Sequence, residues 1–150
     1  MKKLLVVAIA AVFSVSLYAA PINVNEKVLK IFKETFASAE DVKWSETETS
    51  YAVSFFLSGI QSRIVYDKDG NIVSSLRYYS PQYLPMNVYR SLLKKYSNKK
   101  LYGVTEVAAD DNIVYYVKIY DAKYWYTVRT DNSGNQQVTE KLKRADLDQF

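Results

Sequence analysis

Between Tyr51 and Tyr78 apolar residues recur at alternate positions in three runs, and nothing else in the chain restricts its fold as much. Tyr51, Val53, Phe55 and Leu57 form one such run, which Ser58-Gly59 interrupts. Ile60, Ile64 and Tyr66 resume it, Asp67-Lys68-Asp69-Gly70-Asn71 interrupts again, and Ile72, Leu76 and Tyr78 complete it. A period of two places one face of a strand in the core and the other outside it. Asp-Gly-Asn supplies the positive-φ positions of a tight hairpin. The stretch therefore predicts a three-stranded antiparallel meander with these apolar residues inward. The pattern returns 64 residues later: Tyr115, Val117 and Ile119 stand to Tyr51, Val53 and Phe55 as Asp131–Asn135 stands to Asp67–Asn71.

A helix is expected ahead of each set of strands. Asn23 or Asn25 can cap one that starts near Glu26 and ends between Ala37 and Glu40. Val28, Leu29, Phe32 and Phe36 lie on one stripe at helical spacing. Asp41–Trp44 then opens a first strand, with Val42 and Trp44 on one face. After the linker Ser80–Pro85, which two prolines break, a second helix is expected over Met86–Ser97. Val88, Leu92 and Tyr96 follow Val24, Val28 and Phe32 by the same 64 residues. Strands are predicted near Leu101–Ala109, Ile113–Tyr120, Lys123–Thr130 and Gln136–Leu142. The last would turn Val138, Glu140 and Leu142 inward, a set that includes a charge.

The predicted class is α+β, a tandem repeat of one helix plus a four-stranded antiparallel sheet. The expected divisions are a signal peptide over 1–19, a first repeat over 20–80 and a second over 81–150. A helix across one face of such a sheet buries that face and leaves the other open. Joining the two sheets edge to edge would remove two exposed edges.

The leader is set apart by composition. Lys2-Lys3 is followed by apolar Leu4–Phe13 and a small, mostly uncharged stretch to Ala20, the layout of a secretory signal. Cleavage after Ala19 takes the formal charge from +4 to +2, so the mature chain is nearly neutral. No membrane span is then expected. With no cysteine there is no disulfide and no thiolate chemistry; with no histidine there is no imidazole base. A cysteine-free exported chain fits the Gram-negative periplasm or the outside of the cell.

Several residues resemble a known family. Phe36, Ala39, Asp41-Val42-Lys43-Trp44, Tyr51-x-Val53-x-Phe55, Gly59, Tyr66-Asp67-x-Asp69-Gly70-Asn71 and Leu84-Pro85 look like the PepSY-like proteins, also described as beta-lactamase-inhibitor-like, of Bacteroides-type bacteria. Glu106, Tyr115-Tyr116-Val117-x-Ile119 and Gly134 continue the likeness. The resemblance implies tandem helix-plus-four-strand units and a periplasmic or secreted location. It brings no catalytic residues with it.

Asp67, Asp69 and Asn71 cluster oxygen ligands as a calcium loop does, but the later ligand positions fall on Ile72, Val73 and Leu76, so a hairpin is the better reading. Glu106, Asp110, Asp111 and Asp121 could pair for acid–base work on a sugar; the three aspartates sit in predicted turns, where Asp serves the backbone. The basic runs Lys94–Lys100 and Lys141–Arg144 suit a solvated helix end and surface better than nucleic acid. No enzyme activity, cofactor or metal is expected.

The open sheet face is the candidate site. Strand parity turns outward Phe56, Arg63, Val65, Arg77 and Tyr79, and in the second half Tyr116, Lys118, Tyr120, Trp125, Thr127 and Arg129. Aromatics and cations of this kind are enriched at interface hot spots, although cross-strand pairing on a solvated sheet favours similar residues. The expected role is a non-catalytic binding module for a periplasmic protein or peptide, an inhibitor or chaperone of a periplasmic or secreted protein; the alternative is a glycan or small ligand stacked on the same aromatics. N-terminal sequencing of the exported protein is expected to begin at Ala20. A start before residue 15 would show that the leader is retained.

Overall fold

The computed structural model describes residues 22–145. The expected leader, 1–19, lies outside them. Two helices, α1 (Glu26–Thr35) and α2 (Met86–Lys95), accompany eight strands. These are β1 (Glu40–Glu46), β2 (Ser50–Leu57), β3 (Ile60–Asp67), β4 (Ile72–Tyr79), β5 (Lys100–Ala109), β6 (Asn112–Tyr120), β7 (Tyr124–Asp131) and β8 (Gln136–Lys143). The strands form one antiparallel sheet in sequence order. The fold is α+β, with the two sets of strands joined along β4 and β5, from Ser74 opposite Ala109 to Tyr79 opposite Val104. Among the described residues no helix is long and apolar enough to cross a membrane.

Asn25 caps α1, its side-chain oxygen accepting from the Lys27 N–H at 2.8 Å. The helix stops at Phe36, short of the expected end, and α2 likewise stops at Tyr96. The buried positions of the helices correspond at 60 residues rather than 64. Val24, Val28 and Phe32 are matched by Leu84, Val88 and Leu92, and the end positions Phe36 and Tyr96 keep the same offset. Buried Tyr51, Val53 and Phe55 are matched by Tyr115, Val117 and Ile119 at 64. The difference lies in the β5–β6 hairpin: the strand starts Glu40 and Lys100 still correspond at 60, so the extra residues lie between Lys100 and Tyr115.

Both helices lie on one face of the sheet. Residues directly opposite each other on antiparallel strands share a face, and one row runs Phe55, Ser62, Arg77, Glu106, Tyr115, Thr130, Gln136. Its first end lies in a cluster with Val28 and Phe32 of α1; its sixth strand lies in a separate cluster with Val88 and Leu92 of α2. The protein thus has two cores on one side of a shared sheet. In the first, the Phe32 ring meets Phe36, Trp44 and Phe55 at 5.5, 5.3 and 5.1 Å between centroids. Gly70 lets the β3–β4 hairpin tuck under α1: its φ is +92°, and a Cβ there would stand 2.7 Å from Ile31 Cδ1.

Four bulges interrupt the ladders, one of them in β1 between Glu40 and Lys43, and those in β4 and β8 reverse expected parities. Val65 opposes Ser74 but Tyr66 opposes Ile72, leaving Val73 as an extra residue in β4. Ile72 therefore faces the helices, while Leu76 and Tyr78 face away from them, contrary to expectation. In β8, Thr139 is the extra residue between Val138, opposite Val128, and Glu140, opposite Thr127. That shift turns Glu140 and Leu142 outward and removes the buried charge that plain alternation implied. Tyr102 is the extra residue in β5. A bulge inserts one unpaired residue and so exchanges the two faces beyond it.

Phe32→Ala is expected to destabilise the protein by about 3–5 kcal/mol in urea unfolding, the usual cost of emptying a buried aromatic site. A loss under ~1 kcal/mol would show that the three-ring contact does not hold the first core together.

Candidate functional site

The face without helices carries a second row that crosses all eight strands: Glu40, Phe56, Gln61, Tyr78, Thr105, Tyr116, Arg129 and Gln137. Beside it, Arg63 opposes Ser54 and Leu76, and Lys118 opposes Gly103 and Thr127. Tyr120, Trp125 and Leu142 stand opposite one another on β6, β7 and β8. Of the residues expected on this face, Phe56, Arg63, Val65, Tyr116, Lys118, Tyr120, Trp125, Thr127 and Arg129 lie there.

Arg77 and Tyr79 do not. The Val73 bulge places both on the helix side, where Arg77 opposes Ser62 and Glu106, and Tyr79 belongs to the second core. Tyr79 donates its O–H to Glu106 at 2.6 Å, and Arg77 Nη1 reaches the other Glu106 oxygen at 3.3 Å. Burial and the Glu106 carboxylate both hold the Tyr79 phenol protonated far above its ordinary range.

The densest part of the open face is aromatic. Tyr102 meets Trp125 at 5.0 Å and Tyr120 at 6.5 Å, both edge-on, and Tyr120 meets Trp125 at 4.8 Å. The Arg144 guanidinium sits over the Tyr120 and Trp125 rings at 5.0 and 5.7 Å. Tyr102, 67% exposed, is the residue sequence reasoning missed. Its signal was Gly103, since an isolated glycine inside a strand marks a bulge. Leu142 and Tyr78 were misassigned for the same reason, unrecognised bulges. Lys118, Thr127 and Glu140 form a polar border, the Glu140 carboxylate accepting from Lys118 at 2.6 Å and from Thr127 at 2.8 Å.

The acidic candidates are occupied with structural work. Asp67 accepts from the backbone N–H of Asp69 and Asn71 and from the Asn71 amide; Asp131 does the same for Ser133 and Asn135. Asp110 and Asp111 hold positive φ in the β5–β6 turn. Asp121 accepts from Lys99 at 2.7 Å, from the Tyr126 O–H at 2.7 Å and from two backbone amides at 2.9 Å. Among the described residues there is no group of three carboxylates, histidines or cysteines that could hold a metal. Lys99 also lies over the Tyr126 ring at 4.4 Å and Lys141 over the Tyr124 ring at 4.1 Å, so the basic runs are divided between local partners.

Solved structures from Bacteroides share this fold. A BLIP-like protein of Bacteroides fragilis superposes with a TM-score of 0.59 at 13% identity, over 83% of this chain and 89% of its own. A DUF2874 family protein of Bacteroides ovatus matches with a TM-score of 0.58 at 20% identity, over 81% and 89%. A Bacteroides eggerthii protein, assigned provisionally to the periplasm, matches with a TM-score of 0.58 at 15% identity, over 83% and 92%. No protein-family model and no curated protein matches the sequence. Identities this low establish the shared architecture.

The Lys99 ammonium first, then the backbone amides and the Tyr126 hydroxyl, hold the Asp121 carboxyl well below the usual carboxylate range. Asn71 and Asn135 lower Asp67 and Asp131 in the same direction. A depressed folded pKa stabilises fully above the unfolded value of about 4, and that stability is lost as pH falls through the folded value. Melting temperature is therefore expected to drop below about pH 4. Asp121→Asn should lower it at neutral pH and flatten the acid limb; an unchanged acid limb would remove Asp121 from the account.

Proposed function

We propose that the protein is an exported, non-catalytic binding module of the PepSY-like type that takes a protein or peptide partner on its uncovered sheet face. The observation that carries this is the aromatic cluster of Tyr102, Tyr120 and Trp125, with Tyr116 and Tyr78 farther along the same face, which no helix among the described residues covers. Soluble proteins seldom display such a patch without using it, and Tyr and Trp flanked by Arg are the residues that dominate binding energy. The basic, apolar and small-residue layout of residues 1–19, read as a cleaved leader, supports export to the periplasm or the outside of the cell. The architecture shared with a BLIP-like protein and with a protein provisionally assigned to the periplasm supports the same reading.

The two halves are copies of one helix-plus-four-strand unit. The matched buried positions support this, as does the pair of identical Asx hairpins at Asp67 and Asp131. Absence of His and Cys, and carboxylates committed to turns and ion pairs, support a non-catalytic role. The competing reading puts a glycan on the same aromatics, for which the partly exposed Trp125 ring is suited.

Immobilised protein exposed to periplasmic extract and, separately, to a soluble-glycan array distinguishes the two. Trp125→Ala or Tyr116→Ala is expected to weaken capture of a protein partner by ~2 kcal/mol or more. Tyr116→Ala should cost the fold no more than about 1 kcal/mol. Affinity that ignores both substitutions would locate the binding surface elsewhere, and binding confined to the array would favour the glycan.

A further inference from the structure

We infer that the furrow between the two helices, on the opposite side of the sheet from the aromatic face, is a binding site for a small amphiphilic carboxylate. A helix is about 10–12 Å across, whereas eight strands at ~4.8 Å spacing span roughly 35 Å. Among the described residues the two helices leave part of the inner face of β4 uncovered, where Ile72 is exposed, while Ser62, Ile64 and Tyr66 of β3 beside it are buried. A cleft of about 450 Å³ lies there, within the range of small-molecule pockets. Its walls come from both cores: Phe36 and Leu57 pack against the first, Ile60 against the second. Ile64 and Ile72 line its floor, and Ile72 stands 55% exposed there without a helix above it.

The polar groups of this cleft are three serines and one arginine, with Ser58 at the β2–β3 turn and Ser62, Ser75 and Arg77 between its apolar ends. Ser62 opposes Arg77 and Ser75 opposes Ile64, which makes the two serines diagonal neighbours, and Arg77 supplies the charge. The Arg77 side chain is 45% exposed and its contact to Glu106 uses one N–H at 3.3 Å. A guanidinium carries five. Glu106 has a second, shorter donor in the Tyr79 hydroxyl at 2.6 Å. The Glu106 carboxylate therefore remains hydrogen-bonded when the guanidinium turns to a second carboxylate, which it can engage bidentately. An apolar body on the isoleucine floor, with a carboxylate at Arg77 and the serine hydroxyls beside it, matches the cleft in shape and charge. This site shares no residue with the open-face cluster and stands independently of the proposed partner.

Titration calorimetry and methyl NMR with octanoate, octan-1-ol and octylammonium test it. Octanoate should bind, shifting the Ile72 and Leu57 methyls, at least about tenfold more tightly than octan-1-ol, as one charge-assisted hydrogen bond allows. Octylammonium should bind more weakly than either. Arg77→Gln should remove the preference for octanoate while the melting temperature stays close to that of the unaltered protein. Ser75→Trp, which fills the cleft without touching the ion pair, should abolish binding of all three. Trp125→Ala should leave octanoate binding unchanged. No octanoate binding, equal affinity for octan-1-ol, or an Arg77→Gln protein that keeps its preference would overturn the inference; should Ser75→Trp fail to fold, Arg77→Gln decides alone.

Discussion

One helix cannot cover eight strands. That mismatch in width organises the molecule. Each short helix, Glu26–Thr35 or Met86–Lys95, brings two fully engaged core residues, Val28 and Phe32 or Val88 and Leu92, onto its own set of strands. The result is two hydrophobic clusters instead of one. Between them the inner face carries Ser62, Ser75 and Arg77 where a continuous core would carry leucines. On the other face no helix among the described residues covers the strands, and cross-strand aromatics and ion pairs take the place of a core.

The order of elements was legible in the sequence because alternation and Asp-rich turns are local signals. Asp67 and Asp131 announce their hairpins by the very groups they bond, an amide two residues on and another four residues on. What escaped was parity. A bulge is a single unpaired residue, and Val73 looks like any other strand residue. Once it is inserted, Arg77 and Tyr79 exchange places with Leu76 and Tyr78. The one hint was the pair of adjacent apolar residues Ile72 and Val73, which breaks the period of two. In β8 the hint was stronger, since Glu140 in the core would have been an unpaired buried charge. The 64-residue spacing was read from the strands and carried to the helices, where the offset is 60; the longer β5–β6 hairpin absorbs the difference and leaves no local mark.

The candidate surface was therefore found in outline and wrong in detail on one strand. Residues on β2, β3, β6 and β7 were placed correctly, because no extra residue intervenes between them and the buried anchors Tyr51 and Tyr115. Tyr102 could not be placed by alternation, since it belongs to neither face of a regular β5. Its ring contacts with Tyr120 and Trp125, not its position in the chain, bring it into the cluster.

Separate cores also bear on cooperativity. The halves meet along β4 and β5, through the ladder from Ser74–Ala109 to Tyr79–Val104 and the bridge of Arg77 and Tyr79 to Glu106. In a molecule with a single interior, losing any part of it exposes the rest. Here two hydrophobic clusters are coupled through one strand pairing. All-or-none unfolding then depends on whether that seam outweighs the difference in stability between the halves. One strand pairing, anchored in the second core at Tyr79 and Val104 and running away from it to Ser74 and Ala109, decides whether this chain behaves thermodynamically as one object or two.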